Sequence, residues 1–156
     1  MAAESQQSTE VLFYHLERMT LEAILPKLLE KTLERGNRAV VQAGSDERLQ
    51  ALDAHLWVYE ESAFLPHGTK RDGASDRQPV YLTTGEENPN GATVRFLVDG
   101  ARAENFDGLA RAVFLFDGND EDALAKARED WKRVKAQGLA ATYWQQDDNG
   151  KWVKKA

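Results

Sequence analysis

Apolar segments of two different periods alternate along this chain, and that alternation leaves few folds open to it. Val11 to Leu16 is short, apolar and aromatic, as a buried first strand would be. Leu21, Ile24, Leu25, Leu28, Leu29 and Leu33 then recur at helical spacing, with Thr20 placed to cap the helix and Gly36 to stop it. Pro26 interrupts that pattern. Lacking a backbone N–H, it predicts that the helix starts late or bends early. Arg38 to Gln42 reads as a second buried strand, and Ser45 or Asp46 caps a helix running to about Leu56, with Leu49, Leu52 and Leu56 on one face. Strand, helix, strand, helix in this order implies a parallel βαβ core.

Residues 59–79 hold Pro66, Gly68, Gly73 and Pro79 among charges and keep no period, as a long functional or mobile loop does. Short strands are predicted at 79–84 and 92–98, with Asn88 to Gly91 turning between them, and a buried strand at Ala112 to Phe116. A helix from about Asp120 to Gln137 follows, acidic in its first turn and ended by Gly138. Ala140 to Gln146 and Lys151 to Lys154 flank Asp147-Asp-Asn-Gly150 as a hairpin. The expected fold is a three-layer α/β/α sandwich with a mainly parallel, mixed central sheet. With 156 residues the chain fits one domain, 10–156, behind a flexible polar lead-in, 1–9.

Several chemistries lack their residues. Glu17-Arg-Met-Thr20 follows the first strand without a glycine, and Ala43-Gly44-Ser45 follows the second with one, so neither forms the glycine-rich turn that admits a pyrophosphate. His67-Gly-Thr-Lys70 lacks the spacing of a phosphate loop. The absence of cysteine excludes disulfides, thiolate zinc and a cysteine nucleophile, and fits a reducing cytoplasm. His15, His55 and His67 have no close metal-ligand spacing, and each reads as structural or solvated. Ser45 and Ser62 lie in no nucleophile elbow. No cofactor or metal is expected. The N-terminus lacks the basic and apolar parts of a signal peptide, and no apolar run approaches the ~18 residues of a membrane span.

Charge is divided. Residues 1–125 carry 12 Lys/Arg against 22 Asp/Glu, whereas residues 126–156 carry 8 against 4. An acidic body repels nucleic acid, and a basic end attracts phosphates or an acidic peptide. Two surfaces stand out. Trp57 ends a helix and precedes the apolar loop residues Phe64, Leu65 and Pro66, which either return to the core or anchor a partner. On the last helix Leu124, Ala127, Trp131 and Val134 form an apolar stripe beside a basic one of Arg128, Lys132 and Lys135. An apolar slot rimmed by cations suits an acidic peptide that ends in a hydrophobic residue and a free carboxylate.

From about Val11 to its end the chain resembles the chi subunit family of bacterial DNA polymerase III. The resemblance rests on Phe13-Tyr14-His15-Leu16, Gly36-Asn-Arg38, Leu52-Asp53 with Leu56-Trp57, and Ser62-x-Phe64-Leu65-Pro66-His67-Gly68 with Gln78-Pro79-Val80. Ala127-Arg128-x-x-Trp131-Lys132, Gly138 and Tyr143-Trp144 complete it in order. It implies a non-catalytic adaptor with a nucleotide-binding-like topology and no nucleotide site. Such an adaptor binds the psi subunit, and through it the clamp loader, and also the acidic C-terminal tail of single-stranded DNA-binding protein, so that its link to DNA is indirect. The resemblance places the psi-facing surface at Trp57 and Phe64, and the tail site at Arg128, Trp131 and Lys132. Lys135 joins the tail site by helical spacing. The alternatives are a nucleotide-dependent or hydrolytic enzyme on the same sheet, and a module that binds DNA directly through the basic end.

Overall fold

In the computed structural model, residues 9–59 and 65–156 are described, so the lead-in expected over 1–9 lies outside them except for Thr9. Thr9 departs from that expectation. It is buried, and its hydroxyl donates to the carbonyls of Phe106 and Leu109.

The elements are β1 (Glu10–Leu16), α1 (Leu21–Glu34), β2 (Ala39–Gln42), α2 (Asp46–Val58), β3 (Gly68–Thr69), β4 (Val80–Thr83), β5 (Val94–Leu97), β6 (Arg111–Asp117), α3 (Glu121–Ala136), β7 (Ala140–Gln146) and β8 (Trp152–Lys154). One eight-stranded sheet has the order β3-β4-β2-β5-β6-β1-β7-β8, parallel throughout except where β8 pairs antiparallel with β7. The expected α/β sandwich with a mixed, mainly parallel sheet is the observed one.

Alternation along the strands sorts side chains into two cores. Val41, Leu82, Phe96 and Val113 face Leu25, Leu29, Leu52 and Leu56 of α1 and α2. Val11, Phe13, Ala112 and Phe114 face Val134 of α3 and the segment carrying Ala101, Ala103 and Phe106. Burial on both faces explains why the central strands read as unbroken apolar runs.

Three expectations need correction. Helix α1 does not start late: it begins at Leu21, and the expected cap is in place, the Thr20 hydroxyl accepting from the amide of Ala23. Pro26 leaves the carbonyl of Glu22 without its helical donor, and His55 Nε2 of α2 donates to that carbonyl at 2.6 Å. Strands β4 and β5 do not pair through the turn at Asn88 to Gly91. They flank β2, because each finds a complete parallel ladder there, and residues 84–93 carry the chain across. Of the loop 59–79, the described part after Leu65 is built rather than irregular. It contains β3 and two short 3-10 turns, Lys70–Asp72 and Ser75–Arg77.

Candidate functional site: a closed crevice and two exposed faces

In a doubly wound sheet, ligands enter at the carboxyl ends of neighbouring strands whose connections leave on opposite faces. Here those strands are β1, which continues into α1, and β6, which continues into α3. A cleft of about 690 Å³ lies there, but its chemistry opposes phosphate. Six carboxylates (Glu17, Glu22, Asp99, Asp117, Asp120 and Asp122) line it, against Arg18, Arg48 and Lys126. Arg48 is held by Glu22 at 2.8 Å and Asp99 at 3.1 Å, and Arg18 by Asp148 at 3.1 Å. The hydrogen bond from Arg48 is the main reason why the Glu22 carboxyl lies below its ordinary range.

Both helix N-termini at the cleft are already capped. Thr20 accepts from the amide of Ala23, and Asp120 from those of Asp122 and Ala123. One or two of the amides that would hold an anion at each helix start are therefore already in use. Gly44 has a different purpose from a phosphate turn: a Cβ there would lie 1.9 Å from the carbonyl oxygen of Asp99. Among the described residues no group of three or more His, Asp or Glu side chains is placed to hold a metal ion.

The basic stripe of α3 presents a different surface. Arg128, Lys132 and Lys135 are exposed, and Trp131 is half-buried. The Trp131 ring stands edge-on to Phe13 (5.4 Å between centroids) and to Tyr143 (6.1 Å), while Lys135 Nζ lies 5.7 Å from its centroid. Arg128 and Lys132, one turn apart, share one helix face, with Arg128 three residues before the indole. The inward stripe differs from the expected one, since Asp130 is buried between Ala127 and Val134 and pairs with Arg133 at 3.1 Å, while Leu124 is only half-buried.

Sequence reasoning missed the floor beside this helix. Tyr143 of β7 is hydrogen-bonded to His15 Nδ1 at 2.7 Å, and His15 Nε2 lies 2.8 Å from the Glu17 carboxylate, which also accepts from Gln145. Burial raises the Tyr143 hydroxyl, and the positive charge of Arg128 opposes that shift, so the two side chains share one field. Period-two alternation puts His15 and Tyr143 on the α3 side of the sheet, but only the parallel pairing of β1 with β7 makes them neighbours.

The second face lies at the end of α2. Trp57 is 51% exposed and Val58 74%, while Leu65 is 2% exposed within the core and Pro66 is half-buried. Leu65 thus anchors its own segment instead of offering a contact. Phe64 lies outside the described residues. Next to Trp57, with ring centroids 4.3 Å apart, the buried His67 donates to the carbonyl of Leu65 and approaches Asp53 at 3.2 Å, which fixes this segment to α2. Burial pushes the Asp53 carboxyl up, partly offset by His67.

These features define a doubly wound α/β domain whose usual ligand crevice is committed to its own charges, and which exposes Trp57 at one face and the cations of α3 at another. Residues 8–142 match the family described as DNA polymerase III chi subunit, HolC, and the chain belongs to that family. It is similar to the probable DNA polymerase III subunit chi of Rickettsia prowazekii (strain Madrid E), with 31% identity over 87 residues. That alignment covers 56% of this chain and 52% of the relative, so the chain spans about half the length of the curated relative it matches.

Proposed function

We propose that this chain is a non-catalytic accessory subunit of the replicative DNA polymerase III. It links the clamp loader, by way of psi at the Trp57 and Phe64 surface, to the C-terminal tail of single-stranded DNA-binding protein at Arg128, Trp131, Lys132 and Lys135. It acts in the cytoplasm at replication forks, and this tail contact joins it to DNA through the coating protein. The observation that carries this reading is the α3 face, where an indole packed on Phe13 and Tyr143 stands among three exposed cations. An acidic chain end terminating in an aromatic residue matches that pattern: the ring meets apolar surface, the carboxylate meets Arg128, and the upstream acids meet the lysines. The capped helix ends and acidic crevice weigh against the nucleotide-dependent enzyme.

Burying one aromatic ring contributes roughly 1.5–3 kcal/mol, and a charge-assisted hydrogen bond about 1.5–3 kcal/mol. Ordering the flexible tail offsets much of this. The result is weak, reversible binding that strengthens when several tails are presented together. Titration with a peptide ending Asp-Asp-Asp-Ile-Pro-Phe should show binding to the wild type that weakens with salt and falls at least about tenfold in Arg128→Ala, a loss of ~1.4 kcal/mol. Equal binding by both proteins would remove the site from α3. For the other surface, a pull-down of psi with Trp57→Ala should fail while the variant melts like the wild type.

A further inference from the structure

On the side of the sheet that α1 and α2 occupy, the cover stops short. Those helices pack over β2, β4 and β6, whereas the same face of β7 and β8 is half-buried along its length. Tyr14, Trp144 and Trp152 stand together there. Tyr14 and Trp144 are direct partners across β1 and β7, and the ring of Trp152, from β8, meets Tyr14 edge to face at 5.0 Å between centroids. The Trp144 indole N–H donates to Thr142 on the same strand at 2.8 Å, which fixes the ring and leaves its π-face without a polar demand. All three aromatics are partly in solvent.

Cations border this strip. Tyr14 also lines a cavity of about 320 Å³, with Leu12, Phe96 and Val113 as apolar walls and Lys31, Arg35 and Arg111 at its rim. At the other side Lys154 lies opposite Trp144 and shares the face of Trp152. Most of the acids nearby are engaged; Glu34, between Lys31 and Arg35 on α1, is exposed. Glu10 pairs with Arg111 at 3.1 Å, Asp148 with Arg18 at 3.1 Å, and Asp147 accepts from the amides of Asn149 and Lys151. On α1, Glu30 accepts from Tyr59 and Glu22 from Arg48, both on the α2 side.

We propose that this face binds single-stranded nucleic acid directly, with bases stacked on Tyr14, Trp144 and Trp152 and phosphates paired with Lys31, Arg35 and Lys154. Aromatic side chains on adjacent strands of an open sheet accept bases of any sequence, and flanking cations follow the backbone. The strip is local, so an acidic body does not forbid it: within a Debye length of about 8–10 Å, neighbouring cations outweigh distant carboxylates. The site lies on the opposite face of the sheet from Tyr143 and the α3 stripe, and it stands whether or not the tail site does.

The test is fluorescence anisotropy with a labelled oligothymidylate at low and high salt, using the full chain. Binding should weaken with salt, fall about tenfold in Trp152→Ala and in the double variant Lys31→Glu/Arg35→Glu, and be retained in Trp152→Phe and in Arg128→Ala. Trp152→Phe and the charge variant guard against misfolding, and thermal melts confirm their fold. No binding at low salt, equal affinity for duplex, or unchanged affinity in the charge variant overturns the proposal. So does quenching of Trp152 by an acidic peptide in Arg128→Ala without any binding of the oligonucleotide, which would assign the face to a protein partner.

Discussion

Arg95 shows how much one buried cation organises. It is 3% exposed, and its guanidinium donates to Gln42 Oε1 and to the carbonyls of Gly85, Glu86 and Glu87, at 2.7–3.2 Å. Burial lowers its pKa, and the charges of Glu86 and Glu87 oppose that shift. This one side chain ties down the crossing segment between β4 and β5, which has no helix to hold it. Arg95→Leu leaves three carbonyls short of a donor and should destabilise the domain by roughly 3 kcal/mol or more, measured as a lower urea midpoint. Glu22 carries the clearest pH dependence. Its folded pKa is below its unfolded value, so the Arg48 bond adds stability above about pH 4.3 and loses it as pH falls through the folded value. The pair is partly exposed, so Glu22→Gln should cost up to about 1 kcal/mol at neutral pH. The gap between variant and wild type should vanish in strong acid; a gap that persists there assigns the loss to packing.

At the scale of elements, α1 and α2 depend on each other through a defect. Pro26 removes a donor from α1, and His55 replaces it from α2. His55→Ala should therefore cost about 1–2 kcal/mol in the wild type and clearly less in a Pro26→Ala background, where the helix supplies its own N–H. Equal losses in both backgrounds would mean that the contact contributes nothing through that carbonyl. Strands β1, β6 and β7 were legible, as were the caps of α1 and α2, because these depend on neighbours a few residues apart. The placement of β2 between β4 and β5 was not. A turn sequence such as Asn88 to Gly91 specifies a reversal but not which ladder receives the next strand.

Across the whole molecule, charge and topology act together. The acidic body contributes six carboxylates to the crevice, while the basic end supplies α3 and β8. This division makes the tail affinity proposed above salt-sensitive, because exposed cations attract acidic partners over about a Debye length. It also separates an α3 face from an open aromatic face on opposite sides of one sheet. Among the described residues no helix is long and apolar enough to cross a membrane.

Periods, caps and missing glycines follow from local chemistry, and so the α/β alternation, the lack of a phosphate turn and the basic stripe at Arg128, Lys132 and Lys135 could be derived from residue order alone. Contacts between distant segments could not. The Tyr143 floor, the burial of Leu65, the Arg95 clamp and the half-buried aromatic face of Tyr14, Trp144 and Trp152 exist because strands far apart in sequence pair side by side. That pairing depends on which ladders bury the most apolar surface at once, a property that belongs to the folded chain as a whole.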